Sequence, residues 1–176
     1  GRRHRRRRRQ RTGEGRPVQQ LHWGGGTPTH LPAEDLERLF LGIRSRFAFT
    51  RDAEIGVELN PRELDPGQIE TLALCGFNRV SLGVQDFDPE VQAAVRRVQP
   101  ADLTRGTLRR CREVGFQSVN VDLIYGLPRQ TRETFTRTLD TLLEMDPDRI
   151  ALYSFAYLPD RVAHHRVTGG VGVDVV

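Results

Sequence analysis

Five strand-like runs alternate along this chain with helical patterns, and that order leaves few folds open. The first run leads into residues 21–29, Leu-His-Trp-Gly-Gly-Gly-Thr-Pro-Thr. The others cover residues 53–60, 78–85, 118–125 and 149–155. Between them, Leu36, Leu39, Phe40 and Ile43 recur at helical spacing, as do Leu103, Thr107, Leu108, Cys111 and Val114, a stripe that stops at Gly115. Phe135, Leu139, Leu142 and Leu143 form the last stripe. Asp65-Pro66 reads as the N-cap and first-turn proline of a helix ending at Cys75-Gly76, and Asp88-Pro89 opens another. Strand ends recur roughly every 30 residues, the size of a βαβ unit. The alternation predicts an α/β fold, a parallel sheet covered by helices in the form of a (β/α) barrel or partial barrel.

A barrel of this kind carries its chemistry at the C-terminal ends of its strands. The glycine triplet, Glu58, Gln85, Asp122 and Ala156 all fall there. Glycine has no Cβ, so a strand ending in three of them lets a ligand lie against the backbone. A helix starting just beyond would point its free N–H groups at the same spot. Five strand ends supplying backbone, acid and amide predict one polar pocket.

With 176 residues and 37% hydrophobic content the chain can build one domain. It holds no run of 18 apolar residues and no signal-peptide core, which predicts a cytoplasmic protein without a membrane partner. Cys75 and Cys111 lie on separate helical patterns and read as buried free thiols, not metal ligands. His22 has no second ligand at metal spacing and reads as a packed, hydrogen-bonded histidine. All 27 basic residues are arginine, and nine of them lie in residues 1–16 beside a single acid, Glu14. The remaining 18 arginines face 22 acids, a net of −4. Residues 1–16 are therefore expected to be a disordered arm with no specific nucleic-acid partner, residues 17–162 the partial barrel, and residues 163–176 an unstructured tail.

The strings Leu-His-Trp-Gly-Gly-Gly-Thr-Pro-Thr, Val-Glu-Leu-Asn-Pro-Arg-Glu, Phe-Asn-Arg-Val-Ser-Leu-Gly-Val-Gln-Asp-Phe-Asp, Val-Gln-Ala-Ala-Val-Arg-Arg-Val-Gln, Asn-Val-Asp-Leu-Ile-Tyr-Gly-Leu-Pro-Arg-Gln-Thr and Phe-Ala-Tyr-Leu-Pro follow in order from about residue 16 to 162. This series resembles the oxygen-independent coproporphyrinogen III oxidases, radical S-adenosylmethionine enzymes of haem biosynthesis. The resemblance implies a [4Fe-4S] cluster that reduces S-adenosylmethionine to a 5′-deoxyadenosyl radical, which abstracts hydrogen from a propionate of coproporphyrinogen III. Two rounds, each losing carbon dioxide and an electron, give protoporphyrinogen IX. It also implies an electron donor for the cluster, and a monomer. The family's Cys-x-x-x-Cys-x-x-Cys cluster loop, its first strand and helix and its C-terminal domain have no counterpart in these residues, so the chain is expected to be an internal fragment, inactive alone and with no catalytic residue of its own. Two other readings stand beside this one: a haem-carrying relative that binds without oxidising a porphyrin, and a non-functional remnant.

Site roles follow from the resemblance position by position. Gly25, Gly26 and Thr27 resemble the family's backbone and hydroxyl surface against the cofactor. Glu58 matches the acid that meets its ammonium group. Gln85 offers a donor and an acceptor, Asp122 suits a ribose diol, and Ala156 is small where an adenine-sized ring would lie. Arg97, in preference to its neighbour Arg96, matches the arginine that pairs a carboxylate. In the family these positions serve two S-adenosylmethionine molecules, Gly25 and Glu58 with one and most of the others with the second.

The arm yields a direct test. Nine arginines can neutralise several phosphates, so nucleic-acid affinity is expected to fall steeply with salt and to vanish when residues 1–16 are removed. Filter binding across a salt series measures it; sequence-selective binding that survives high salt would overturn the reading of the arm.

Overall fold

Apolar residues occupy every second position of β3 (Arg79–Gln85) and β4 (Ser118–Tyr125). Val80, Leu82 and Val84 are buried in the first, Val119, Val121 and Leu123 in the second. The residues between them (Ser81 and Gly83, Asn120 and Asp122) stand on the opposite face, only partly covered. A period of two places alternate side chains on opposite faces, so the pattern specifies a sheet with helices on one side and a polar surface on the other.

The computed structural model describes residues 17–156. The arm expected at 1–16, the tail expected at 163–176 and residues 157–162 lie outside the described residues. Five strands, β1 (Val18–Trp23), β2 (Phe49–Leu59), β3, β4 and β5 (Arg149–Ser154), pair in parallel and in chain order, curled into a half-barrel. The helices between them are α1 (Ala33–Arg44), α2 (Gln68–Cys75), α3 (Pro89–Ala94), α4 (Ala101–Glu113) and α5 (Arg132–Met145).

The core lies between sheet and helices. Leu36 and Phe40 of α1, Leu72 of α2, and Leu108 and Cys111 of α4 pack on Ile55, Val57, Val80 and Leu82. Trp23 closes it from β1, with ring centroids 4.9 Å from Phe77 and 6.3 Å from Phe40. A second cluster joins Val84, Val121 and Leu123 to Leu142 of α5. Burial pushes the Cys111 thiol up to about 12.

Polar side chains at strand entrances extend the ladder. Asn78, just before β3, accepts from the Ile55 amide at 2.9 Å and donates to the Ala53 carbonyl at 2.9 Å. Asp148, just before β5, accepts from the Val119 amide at 2.9 Å. Each locks one strand to its predecessor and fixes the register. The sequence pattern places Asn78 inside the strand; β3 starts at Arg79, and the Asn78 side chain adds to the bonds of its own backbone, whose amide donates to the Ile55 carbonyl at 2.9 Å.

Other expectations shift for equally physical reasons. The second strand starts at Phe49, four residues before the apolar alternation begins, because β1 pairs with it from Val18 onward. It ends at Leu59, and the last strand at Ser154. No α-helix follows the glycine triplet directly. A single 3-10 turn, Pro28–His30, intervenes, and α1 begins only at Ala33 after Pro32. Asp65-Pro66 forms a turn, and Gly67 at φ 85° caps α2. Gln68 anchors that helix: its buried amide accepts from the Asp65 amide and donates to the carbonyls of Thr29 and Leu31. Cys75 is half-buried, not buried.

The helical stripes are also rotated from their expected phase. In α5 the buried residues are Thr138, Leu142 and Met145, while Leu143 is 71% exposed. Thr138 turns inward to meet Asp86. Leu39 and Leu103 are likewise exposed. Leu142→Ala is therefore expected to cost about 2–5 kcal/mol of stability, against under about 0.5 kcal/mol for Leu143→Ala. Urea denaturation of the two variants checks the phase; equal losses would contradict it.

Candidate functional site

The C-terminal edge of β1 and β2 is built by a close approach. A Cβ on Gly24 would stand 2.6 Å from Oε1 of Glu58, so any side chain there would push this carboxylate from its place. Glu58 Oε2 accepts from the Gly25 amide at 3.2 Å, and Oε1 accepts from His22 Nε2 at 3.2 Å. Gly25 and Gly26 take positive φ, 78° and 52°, and a Cβ on either would meet nothing within 4 Å. The turn thus presents bare backbone beside a partly exposed acid.

A second group forms where β3 ends. Gln85 takes φ 74°, a strained value for this residue type, and turns the chain so that Asp86 points inward. Asp86 is a structural acid, accepting from Thr138, Gln130 and the Asp88 amide. Gln130 in turn accepts from the amides of Gly126 and Leu127, which holds the turn after β4. Arg97 lies beyond the end of α3 and reaches back to the sheet, donating to the Gly83 carbonyl at 2.9 Å and to Asn60 Oδ1 at 3.3 Å. Arg96 stays exposed. A Cβ on Gly83 would stand 3.1 Å from Arg97 Nη2 and 3.3 Å from Gln85 Nε2, so Gly83 clears the space where the two side chains meet. Arg97 Nε is buried without a partner in the structure, and burial, with Arg62 nearby, lowers the pKa of the guanidinium.

Asp122 is in register with Gly83. It accepts from Ser81 Oγ at 2.8 Å and Asn120 Nδ2 at 2.6 Å. Its carboxyl sits above the usual aspartate range, chiefly through burial, with Glu58 pushing the same way and the two hydrogen bonds and His22 opposing. Glu58, His22 and Asp122 are thus electrostatically coupled across three strands. They line one cleft of about 240 Å³ on the polar face of the sheet, together with Ser81 and Asn120.

The structure brings Gly25, Gly26 and Glu58 together at the ends of β1 and β2, and Gln85 and Arg97 together beside Gly83, while Asp122 lines the cleft with Glu58 and His22. Thr27 and Ala156 are adjacent in the chain to the edge, but among the described residues no side-chain hydrogen bond ties Thr27 to either group, and Ala156 stands exposed just past β5. Sequence reasoning took Gly24 only as one of the glycine triplet and missed Gly83, Ser81 and Asn120. The two glycines carried a signal, since each precedes or accompanies a strand end. Ser81 and Asn120 are ordinary polar residues of an alternating strand and carried none. His22 is hydrogen-bonded as expected, yet its side chain is 53% exposed, not packed.

Comparison with known proteins bears on this geometry. The model of the radical SAM superfamily matches residues 6–142. The chain belongs to the radical SAM superfamily. It is 48% identical over 152 residues to the oxygen-independent coproporphyrinogen III oxidase of Escherichia coli, covering 86% of this chain and 33% of that protein. The Synechocystis enzyme of the same name is 50% identical over 144 residues, 82% of this chain and 31% of that one. The solved Escherichia coli coproporphyrinogen III oxidase superposes with a TM-score of 0.82 over 86% of this chain and 35% of its own. The radical S-adenosylmethionine methyltransferase TsrM of Kitasatospora setae, 20% identical with a TM-score of 0.66, shares the fold over 80% of this chain and 28% of its own. The chain spans about a third of the length of the curated relatives it matches. This radical SAM chain is homologous to the coproporphyrinogen oxidases over that third.

The superfamily uses S-adenosylmethionine and a [4Fe-4S] cluster. The residues fit the first: an acid beside open backbone suits an ammonium and its carboxylate, and the unpartnered buried Arg97 Nε adds a donor. For the second, no group of three or more His, Cys, Asp or Glu side chains among the described residues is arranged to hold a metal ion, and Cys75 and Cys111 sit on different helices.

The raised carboxyl of Asp122 predicts a pH signature. In the folded chain the acid holds its proton more tightly than unfolded, so its ionisation penalises the fold. That penalty is absent below the ordinary aspartate range and complete once the pH exceeds the raised value. Asp122→Asn removes it. Relative to wild type, the variant's thermal midpoint is expected to rise between acid and neutral pH; a flat difference would show that Asp122 is not the group responsible.

Proposed function

We propose that this chain forms the cofactor-facing part of an oxygen-independent coproporphyrinogen III oxidase, acting in the oxidative decarboxylation of coproporphyrinogen III to protoporphyrinogen IX in the cytoplasm. The observation that carries the reading is Glu58, held between His22 and the Gly25 amide beside the bare backbone of the glycine turn. The near-half identity to enzymes of that name supports the substrate.

When bound, S-adenosylmethionine supplies the radical chemistry; this chain binds and orients it. Glu58 meets the ammonium group, and the Gly25 and Gly26 backbone meets the methionine carboxylate and chain. The charged pair gains strength as the cleft loses water. Gln85, Arg97 and Asp122 form the seat of a second S-adenosylmethionine, Arg97 toward a carboxylate and Asp122 toward a ribose diol. Thr27 and Ala156 border these seats. Gln85 and Arg97, both beside Gly83 and not among the residues lining the cleft of Glu58, support a second seat. An electron donor serves the whole enzyme through its cluster.

A chimaera tests this. Residues 17–156 replace the matching segment of the Escherichia coli oxidase, and anaerobic conversion of coproporphyrinogen III is measured. Activity is expected. Glu58→Gln in the chimaera is expected to weaken S-adenosylmethionine binding roughly 10- to 150-fold, the loss of one charge-assisted hydrogen bond, with the thermal midpoint nearly unchanged. A lowered thermal midpoint with intact affinity in the folded variant would make Glu58 a structural acid.

A further inference from the structure

Two glycines on neighbouring strands clear room for one side-chain pair. Gly56 of β2 is buried and in register with His22 of β1, and a Cβ there would stand 3.2 Å from His22 Nδ1. Gly24 does the same for the other partner, since its Cβ would fall 2.6 Å from Oε1 and 2.8 Å from Cδ of Glu58. Between these slots His22 Nε2 and Glu58 Oε1 meet at 3.2 Å.

The donor is defined by chemistry. An ionised carboxylate only accepts, so Nε2 carries the proton of this bond. Among the described residues His22 is the one side chain that donates to Glu58; the other donor is the Gly25 amide, on Oε2. A glutamate left free would sample several rotamers, and holding a long side chain still costs about 1–2 kcal/mol of rotamer entropy. Two donors on its two oxygens remove most of that freedom in advance. Both side chains remain about half exposed, 53% for His22 and 44% for Glu58, so the remaining lone pairs of the carboxylate face the cleft.

We propose that His22 is the positioning residue of Glu58: its imidazole, seated in the Gly56 slot, holds the carboxylate on the Gly25 amide, and a cation binding at Glu58 depends on it. The inference rests on the reading of Glu58 as the partner of the cofactor's ammonium group. His22 itself touches no ligand in this account.

The Gly25 amide reports the arrangement without any ligand. In the 176-residue chain, the Gly25 amide proton resonance and its hydrogen exchange are measured for wild type, Glu58→Gln, His22→Leu, His22→Gln and Gly56→Ala. His22→Leu is expected to shift the resonance and speed exchange severalfold, in the direction of Glu58→Gln. His22→Gln, which keeps a donor near Nε2, is expected to restore the wild-type signal. Gly56→Ala, which touches neither Glu58 nor a ligand, is expected to give a smaller loss. A wild-type Gly25 signal in His22→Leu and Gly56→Ala overturns the proposal. So does a loss in His22→Leu that His22→Gln fails to restore, since that marks a merely structural histidine.

The ligand arm separates this inference from the reading beneath it. S-adenosylmethionine is compared with 5′-methylthioadenosine, which lacks the amino-acid ammonium, in the chimaera. His22→Leu is expected to weaken the first about 3- to 10-fold and leave the second unchanged, with no further loss when added to Glu58→Gln. If Glu58→Gln weakens S-adenosylmethionine and His22→Leu does not, the positioning role fails. If neither does while the Gly25 signal responds, the reading of Glu58 as a cofactor residue fails and the positioning of Glu58 stands.

Discussion

The parallel ladder that joins β1 to β5 in order decides which side chains of this protein can meet. Strand neighbours set in register place Glu58 beside Ser81, Ser81 beside Asn120, and Gly83 beside Asp122. A slip of one residue would turn Val80, Leu82 and Val121 into the cleft and bury the acids under the helices. The register is held twice over: by the apolar face packed on α1, α2, α4 and α5, and by Asn78 and Asp148, whose side chains hydrogen-bond to the backbone of the preceding strand.

Parallel sheets commonly have both faces covered and read as continuous apolar runs. This one does not, because its second face is the inside of a curled half-barrel. The polar residues there are not merely tolerated. Ser81 and Asn120 satisfy both oxygens of Asp122, and Glu54 pairs with Arg79 lower on the same face. Burial raises the carboxyl of Asp122 all the same, and the charge of Glu58 adds to it.

Glycine does at this edge what side chains cannot. Gly24 and Gly83 leave room for Glu58 and for the Arg97–Gln85 pair, Gly56 leaves room for His22, and Gly25 supplies an amide in a conformation with φ 78°. The three close approaches are of one kind: a backbone without Cβ passes a functional side chain and fixes it at contact distance. Fold alone does not confer a function, and the argument for one here depends on these contacts more than on the barrel that carries them.

Local chemistry made much of this legible in one dimension. The period of two in β3 and β4, the Asp88 and Gly76 caps and the αL Gly115 report backbone preferences that act within a few residues, so the alternation of strands and helices and several helix ends could be read directly. Glu58, Gln85 and Asp122 were legible as polar residues at strand ends for the same reason. Partnerships were not. Nothing near Asp122 in the chain names Ser81, 41 positions away, and nothing near Glu58 names Gly24 or His22, whose bond to it spans 36. Helix phase escaped too: Leu143 reads as core and Thr138 as surface until Asp86, 52 residues earlier, claims the threonine hydroxyl. Periodicity and turn chemistry are properties of neighbours in the chain. Which acid is held, by which donor and at what angle depends on strands meeting across the sheet, and that is settled only when the register closes.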